Sequence, residues 1–460
     1  MSNTTRVFPY SRVCVFGAAR SGVGAMSLLR HHNVEVTLVD ERPAKDFRSL
    51  VRMLKRKHVT SYFGAAKAEV LRGCEAIVVS PGIRLDHPLI QAAQERELPV
   101  ISEVELASFF AKSPIIAITG TNGKTTTTTL TAQMVHDAGY NAVAAGNIGR
   151  AFSDAVVSSQ DDTRPTILVT EVSSFQLESI EEFHPRVAVI LNITRDHMDR
   201  YDSMRDYIEA KFRITLNQDE NDYLVLNADD PIVMRVAEQT SARIRTFSLE
   251  KEVESGAYQK DGRIYLKENG ESILFCSVDD IPIPGQHNVQ NTLASLVMCR
   301  AIGIEIDSLR RTLQKFKGVE HRIEFVAQSA DGVKFYNDSK ATNVDSLEKA
   351  LLSFDKPVIL VAGGKDKQSA YDRLNSLIKE RVKGLVLIGE ARPLIKKAWG
   401  GLVETREAGS MEEAVKQSIA MAKPGDIVLL SPACASFDMF KDFEDRGCVF
   451  KRCVRTQLGI

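Results

Sequence analysis

The residues best suited to chemistry lie in Gly120-Thr121-Asn122-Gly123-Lys124-Thr125-Thr126, between the apolar run Ile115-Ile-Ala-Ile118 and a threonine-rich helix start. A strand, glycine turn and helix start in this order turn backbone N–H groups toward an anion. Lys124 adds a positive charge, and the Thr125 hydroxyl can reach a magnesium ion at the helix N-terminus. The spacing is GxxGKT, a shorter variant of the general phosphate loop, with Ile118 where a further glycine would stand. An acid closing a later apolar strand is placed to hold magnesium directly or through water, and Glu171, after Ile167-Leu-Val-Thr170, is the candidate. Behind the run Val187-Ala-Val-Ile-Leu191 come Asp196, His197 and Asp199, with Lys211 on the next helix, a grouping that points to a second metal or an anionic group. His287, Asn288 and Asn291 cluster at a helix start, where amides cap the helix or read a base edge.

The elements that must position these groups alternate between strand and helix. Arg12–Phe16 reads as a strand entering the turn Gly17-Ala-Ala-Arg-Ser21-Gly22. Ala19 replaces the second glycine of a dinucleotide fingerprint, so a degenerate nucleotide-binding turn is expected rather than an NAD site. A second strand, Val34–Asp40, ends on an acid that either reads a ribose or base or is a plain strand-end carboxylate, and a third, Ala76–Val79, ends in Ser80-Pro-Gly82. Residues 222–275 read as short strands and turns of an inserted sheet. Farther on, Gly332–Tyr336, Pro357–Val361, Gly384–Ile388 and Asp426–Leu430 read as strands of another doubly wound unit. The polar stretches Asn337–Asn343, Gly363–Lys367 and Ser431–Phe437 are expected on one edge of its sheet. The fold class is therefore α/β in three domains. These are a Rossmann-like N-terminal domain at 1–110, a central P-loop ATPase-type α/β domain at 111–318 and a Rossmann-like C-terminal domain at 319–460.

Composition narrows the function class. A chain of 460 residues is long enough for about three domains. With 59 Lys+Arg against 60 Asp+Glu, the net charge of -1 argues against bulk attraction to nucleic acid or an anionic membrane, so an anionic ligand must be held by local groups. No run of 18 apolar residues occurs and the first residues lack a signal-peptide core; a cytoplasmic enzyme is expected. The 7 cysteines include no CxxC pair, which argues against a disulfide framework or zinc site, and most are expected to be buried small hydrophobes.

The motifs Gly120–Thr125, Gly146-Asn-Ile-Gly149, Glu171-Val-Ser-Ser-Phe-Gln176, Leu191–Tyr201, His287-Asn288 with Asn291, His321-Arg322, Asn337–Asn343 and Ser431–Ser436 occur in one order along the chain. Together they resemble the bacterial Mur ligases over the whole length, and Glu171–Gln176 and Asn337–Asn343 resemble the branch that adds D-glutamate. The resemblance implies ATP and two magnesium ions, with UDP-N-acetylmuramoyl-L-alanine and D-glutamate as substrates. It implies no nucleic-acid or membrane partner, and a monomer is the expected assembly. Residue by residue, it implies that Ser21, Asp40, Arg42 and Ser80 bind the UDP part, joined by Asn147, Gln176 and His197 toward the muramoyl end. Gly120, Thr121, Asn122, Gly123, Lys124, Thr125 and Thr126 would hold the ATP phosphates, and Asn288 and Asn291 the adenine. Arg322, Asp338 and Lys340 would serve the γ-phosphate, the ribose and the phosphates respectively. Thr125 and Glu171 would hold one magnesium, and His197 with a carbamylated Lys211 the other, Lys124, His197 and Lys211 being the catalytic set. Thr342, Lys367, Ser436 and Phe443 would form the D-glutamate pocket. The implied reaction runs through an acyl phosphate to ADP and phosphate.

Overall fold

Three sheets carry the chain in the computed structural model, which describes residues 8–64, 67–160, 162–198, 200–366 and 369–460. The first sheet is built from β1 (Arg12–Phe16), β2 (Glu35–Asp40), β3 (Thr60–Phe63), β4 (Ala76–Val79) and β5 (Val100–Ser102), all parallel in the order β3-β2-β1-β4-β5. The chain winds one way from β1 to β3 and the other way from β4 to β5. The loops after β1 and β4 therefore diverge and leave a crevice at the strand C-termini. Gly17 follows β1 at φ +104°, and a Cβ on Gly22 would sit 1.7 Å from the Gly17 carbonyl oxygen, so this turn closes only with glycine at both positions.

The second sheet holds β6 (Ile115–Thr119), β7 (Asn141–Gly146), β8 (Thr166–Glu171), β9 (Val187–Ile190), β10 (Tyr223–Asn227), β11 (Arg243–Ser248), β12 (Gly256–Lys260), β13 (Arg263–Glu268) and β14 (Glu271–Ser277). Its order is β14-β13-β12-β11-β10-β9-β6-β8-β7, parallel from β7 as far as β12 and antiparallel at β13 and β14. Residues 222–275 thus extend the central sheet instead of forming a separate one. Leu224, Val225 and Leu226 are fully buried, and β10 covers the edge of β9 that would otherwise stand open.

The third sheet comprises β15 (Glu324–Gln328), β16 (Lys334–Asn337), β17 (Val358–Gly363), β18 (Val382–Ile388), β19 (Glu404–Glu407) and β20 (Ile427–Leu430), in the order β15-β16-β20-β17-β18-β19 with only β15 antiparallel. The adjacent parallel strands β16, β20 and β17 deliver Asn337, Ser431 and Gly363 to one edge, as the strand pattern requires.

The backbone packs as two units: residues up to Asp280 with Gln290–Gln314, and Ile281–Val289 with Lys315–Ile460. In the first unit, the helices Arg20–His31 and Glu103–Phe110 of the first sheet pack on the helix Phe152–Gln160 of the second, within one apolar cluster that includes Leu28, Val104 and Phe152. Glu103 is buried in that seam and accepts from Ser153 N at 2.6 Å; burial pushes its carboxyl up to about 7. Of the cysteines, only Cys14, Cys299 and Cys434 are buried; Cys74, Cys276 and Cys453 are half-buried and Cys448 is exposed. Cys448 and Cys453 lie on the helix Phe443–Leu458, whose outer face leaves them accessible.

Candidate active site

β6 lies between β9 and β8, so the loop that leaves it is flanked by the C-terminal ends of both neighbours. From β8 comes Glu171, 3 % exposed, whose Oε2 accepts the Thr125 hydroxyl at 2.9 Å and whose Oε1 accepts Asn147 Nδ2 at 3.2 Å. From the β9 side, Asn192 Oδ1 accepts Asn122 N at 2.9 Å and Asn192 Nδ2 donates to Asn122 O at 3.1 Å, pinning the turn. Thr121 Oγ1 accepts Thr194 N at 3.0 Å. Lys124 Nζ donates to the Gly120 and Thr121 carbonyls, each at 2.9 Å, as it opens the helix Lys124–Asp137. Thr126, Thr127 and Thr128 are buried on that helix, and Thr127 Oγ1 meets Asn291 Oδ1 at 3.3 Å, so the threonine run is packed rather than frayed.

Lys211, on the helix Met204–Phe212, is 1 % exposed and donates to Gly120 O at 3.0 Å, with its ammonium 4.6 Å from the Tyr207 ring centre. Burial and the neighbouring Lys124 charge hold it well below the ordinary lysine range, against the opposite pull of Asp196 and Glu171. His197 also neighbours Tyr207, ring centres 6.3 Å apart, and packs edge-on to Phe175 at 4.8 Å. Its φ of +55° is an unusual conformation for a residue with a Cβ. Gln176 is buried; its Oε1 accepts Ser173 N and Oγ in a capping box, while its Nε2 has no hydrogen-bond partner among the described residues.

A cavity of about 830 Å³ opens at the reversal point of the first sheet, and Asn147 lies on its wall together with Ser21, Asp40, Arg42 and Ser80. Asp40 is nearly fully buried. It accepts Ala18 N at 2.7 Å and, through both oxygens, Arg42 Nε at 3.0 Å and Nη2 at 2.9 Å. Burial raises its carboxyl, but these donors outweigh that effect and leave it below the ordinary range. Sequence reasoning missed Arg84 and His87 on the same wall and named Arg20 only as part of the Gly17–Gly22 turn. His87 caps the helix Pro88–Gln94 through Nδ1, a role its place before a proline signals. The arginines carry no such signal.

In the second unit, Asp338 is buried behind β16, accepting Ser431 Oγ at 2.8 Å and Ile323 N at 3.3 Å. Ser436 is buried and Phe443 opens the helix Phe443–Leu458, accepting Ser339 Oγ on its carbonyl at 2.7 Å; Lys340 Nζ lies 5.8 Å from the Phe443 ring centre. Lys365 and Ala435 exchange backbone bonds at 2.8 and 3.1 Å, which joins the loop after β17 to that after β20. Thr342 N donates to Lys340 O at 2.9 Å. Asn288 belongs to this unit and donates from Nδ2 to Pro284 O at 2.7 Å, whereas Asn291 belongs to the first. Lys367 lies outside the described residues. Arg322 acts on Asp338 as a nearby positive charge.

Burial raises the Asp338 carboxyl to about 6 from 3.8, and this sets a pH dependence. A folded-state value above the unfolded one gives a contribution that is complete below about pH 4 and is lost as pH rises through 6. Stability of this unit is expected to fall by roughly 2–3 kcal/mol from that source between pH 4 and 7. Asp338→Asn should flatten the decline in urea midpoints over the same interval; an identical slope in the variant would refute the assignment.

Three family models match the chain: a Mur ligase MurD-like N-terminal domain at 11–102, a Mur ligase middle domain at 118–299 and a Mur ligase glutamate ligase domain at 321–434. UDP-N-acetylmuramoylalanine-D-glutamate ligase from Thermoanaerobacter sp. (strain X514) is 42% identical over 447 residues, covering 96% of this chain and 98% of the relative. The chain belongs to the Mur ligase family. A second relative within these ligases, the protein of the same name from Caldanaerobacter subterraneus subsp. tengcongensis, is 43% identical with 96% and 98% covered. The fold agrees with that of a Mur ligase at much lower identity, the UDP-N-acetylmuramate-alanine ligase MurC from Thermotoga maritima. It has a TM-score of 0.60, 18% identity, and 97% and 99% of the two chains covered. As a Mur ligase, the chain is an ATP-dependent ligase with α/β N-terminal, middle and C-terminal domains. No helix among the described residues is long and apolar enough to cross a membrane.

Proposed function

We propose that this Mur ligase joins the amine of D-glutamate to the alanyl carboxylate of UDP-N-acetylmuramoyl-L-alanine, converting ATP to ADP and phosphate, as a monomer in the cytoplasm. The proposed assignment divides the chain into a UDP-substrate domain at 1–110, an ATP domain at 111–318 and an amino-acid domain at 319–460. The names of the relatives support the substrates. One observation supports the chemistry: Glu171 touches Thr125 of the phosphate loop with one oxygen and Asn147 of the cavity wall with the other. A phosphoryl donor on the loop and a carboxylate reaching out of the cavity would meet at this side chain.

Thr125 and Glu171 offer hard oxygen donors of the kind magnesium takes, which makes them the proposed first ligands. His197 and Lys211 are proposed for a second ion. A free amine does not suit magnesium, but a buried amine whose surroundings disfavour its charged form suits carbamylation. The Lys211 nitrogen adds to the carbon of carbon dioxide and releases a proton, leaving two carboxylate-like oxygens. Bound magnesium would neutralise charge gathering on the transferring phosphoryl group. Backbone N–H groups of Gly120–Thr126, with Lys124, would orient the γ-phosphate. The alanyl carboxylate attacks its phosphorus, forming the acyl–oxygen–phosphorus bond as the bond to ADP breaks. The D-glutamate amine then attacks the acyl carbon and phosphate leaves, with Thr342, Lys367, Ser436 and Phe443 proposed to hold the amino acid. Arg322, Asp338, Lys340, Asn288 and Asn291 are the proposed remaining nucleotide contacts.

Phosphate release from ATP with UDP-N-acetylmuramoyl-L-alanine tests this reading. Turnover is expected with D-glutamate and not with L-glutamate, L-lysine or meso-diaminopimelate. Turnover only with another amino acid would refute the substrate assignment.

A further inference from the structure

The loop carrying His197 continues into Arg200 and Tyr201, whose backbone N–H groups both donate to the His197 carbonyl, at 3.0 and 3.1 Å. The Arg200 side chain is only 12% exposed and makes three different contacts. Nη2 donates to Glu178 Oε2 at 2.7 Å, Nη1 donates to Pro81 O at 3.2 Å, and the guanidinium stacks 4.0 Å from the Phe175 ring centre. Tyr201 OH donates to the other Glu178 oxygen at 2.5 Å. Glu178 is 16% exposed, so the ion pair is nearly desolvated, and each carboxylate oxygen has a donor. Phe175, in turn, is the ring against which His197 packs. Pro81 forms part of the wall of the 830 Å³ cavity. One planar cation therefore connects the cavity wall of the first sheet with the helix Ser174–Leu177 of the second sheet and with the loop that presents His197. A surface ion pair would contribute little; a buried fork with fixed geometry holds three segments in one register.

We infer that Arg200, Glu178 and Tyr201 form a positioning clamp that couples the UDP-substrate cavity to the His197 loop, so that substrate grip and catalytic alignment are set together. Arg200 acts through Pro81 and His197 and is a positioning residue. This rests on the proposed role of the cavity as the UDP-substrate site.

The test is steady-state kinetics of the full chain with Arg200→Met, Arg200→Lys, Glu178→Gln and Tyr201→Phe, with direct titration of UDP-N-acetylmuramoyl-L-alanine by calorimetry. Arg200→Met should raise KM for the UDP substrate about 10-fold and lower kcat about 10-fold, with KM for ATP changed less than about twofold. Tyr201→Phe leaves the bond to Pro81 intact and should lower kcat alone. Arg200→Lys should recover the UDP-substrate KM in part, because an ammonium reaches Pro81 or Glu178 but not both. The double variant Arg200→Met with Glu178→Gln should be no worse than Arg200→Met alone. Equal losses in both KM values, unchanged kinetics, or unfolding of every Arg200 and Glu178 variant would overturn the clamp. Absence of UDP-substrate binding to the unsubstituted protein would overturn the cavity assignment as well, which separates the two failures.

Discussion

Lys211→Met is expected to lower ligase turnover by about 10³-fold while leaving the protein no less stable at pH 7. The two effects share one cause. Lys211 is 1 % exposed beside Lys124, so its charge is disfavoured and its amine is held well below the ordinary lysine range. In the unfolded chain the same amine titrates near 10.4, so the unfolded state binds more protons across the interval between the two values. A depressed folded value means that the lysine's contribution is complete above about pH 10.4 and is lost as pH falls toward the folded value. At pH 7 the unmodified side chain is therefore a net cost, offset only by its bond to Gly120 O at 3.0 Å. Methionine fills a similar volume without that cost, but it has no nitrogen to add carbon dioxide and no oxygen to offer a metal. Thermal midpoints in bicarbonate-free buffer at pH 7, 8 and 9 should rise with pH in the unsubstituted protein and be flatter in Lys211→Met. A substantially active Lys211→Met, or one markedly less stable at pH 7, would sink this account.

The chemistry of Lys211 illustrates which parts of the molecule were legible in the sequence. Its place on a helix after His197 follows from chain order, but its burial against Gly120 does not, because a lysine on a helix reads as solvated. Strands such as Arg12–Phe16 and Ile115–Thr119 were legible because continuous apolar runs ended by glycine turns are what parallel, doubly covered sheets require. The edge strand Glu404-Thr-Arg-Glu407 was not: partly exposed residues with no apolar alternation carry no strand period, and its pairing with β18 supplies the order instead. Residues 222–275 read as strands of an inserted sheet, and the strands are there; that they continue the central sheet could not be read, because local pattern names an element but not its neighbour. The contact of Thr125 with Glu171 follows from strand ends at one edge. The ring of contacts around Arg200 joins segments 119 residues apart, and nothing local in the sequence specifies it.

Arg446 is the other buried cation whose loss should be large, and Arg446→Met is expected to destabilise the second unit by about 3–5 kcal/mol. Its sequence context, on the amphipathic helix Phe443–Leu458, suggests an exposed charge, yet the side chain is fully buried. The guanidinium spans two loops. Nε donates to Ser339 Oγ at 3.0 Å and Nη2 to Ser339 O at 2.8 Å, while Nη1 donates to Cys434 O at 3.0 Å and Ala435 O at 3.2 Å. These loops follow β16 and β20 and carry Asp338, Lys340 and Ser436. Burial pushes the guanidinium down to about 10, which still leaves it charged at neutral pH, so carbonyl dipoles meet a full positive charge. Methionine would remove the donors of the Ser339 and Cys434 carbonyl oxygens in a closed interior, the case in which the full desolvation penalty is felt, while Ala435 O keeps the Lys365 N–H. Lysine should recover only part of the loss, since one ammonium cannot reproduce the fork. The chain's 1 tryptophan, Trp399, is buried in this unit and donates from Nε1 to Tyr371 O at 3.1 Å, so its fluorescence reports this unit's unfolding. The urea midpoint by tryptophan fluorescence should fall sharply in Arg446→Met and less in Arg446→Lys, with D-glutamate KM raised in the lysine variant. A midpoint unchanged in both would mean that the guanidinium does not hold the loops together.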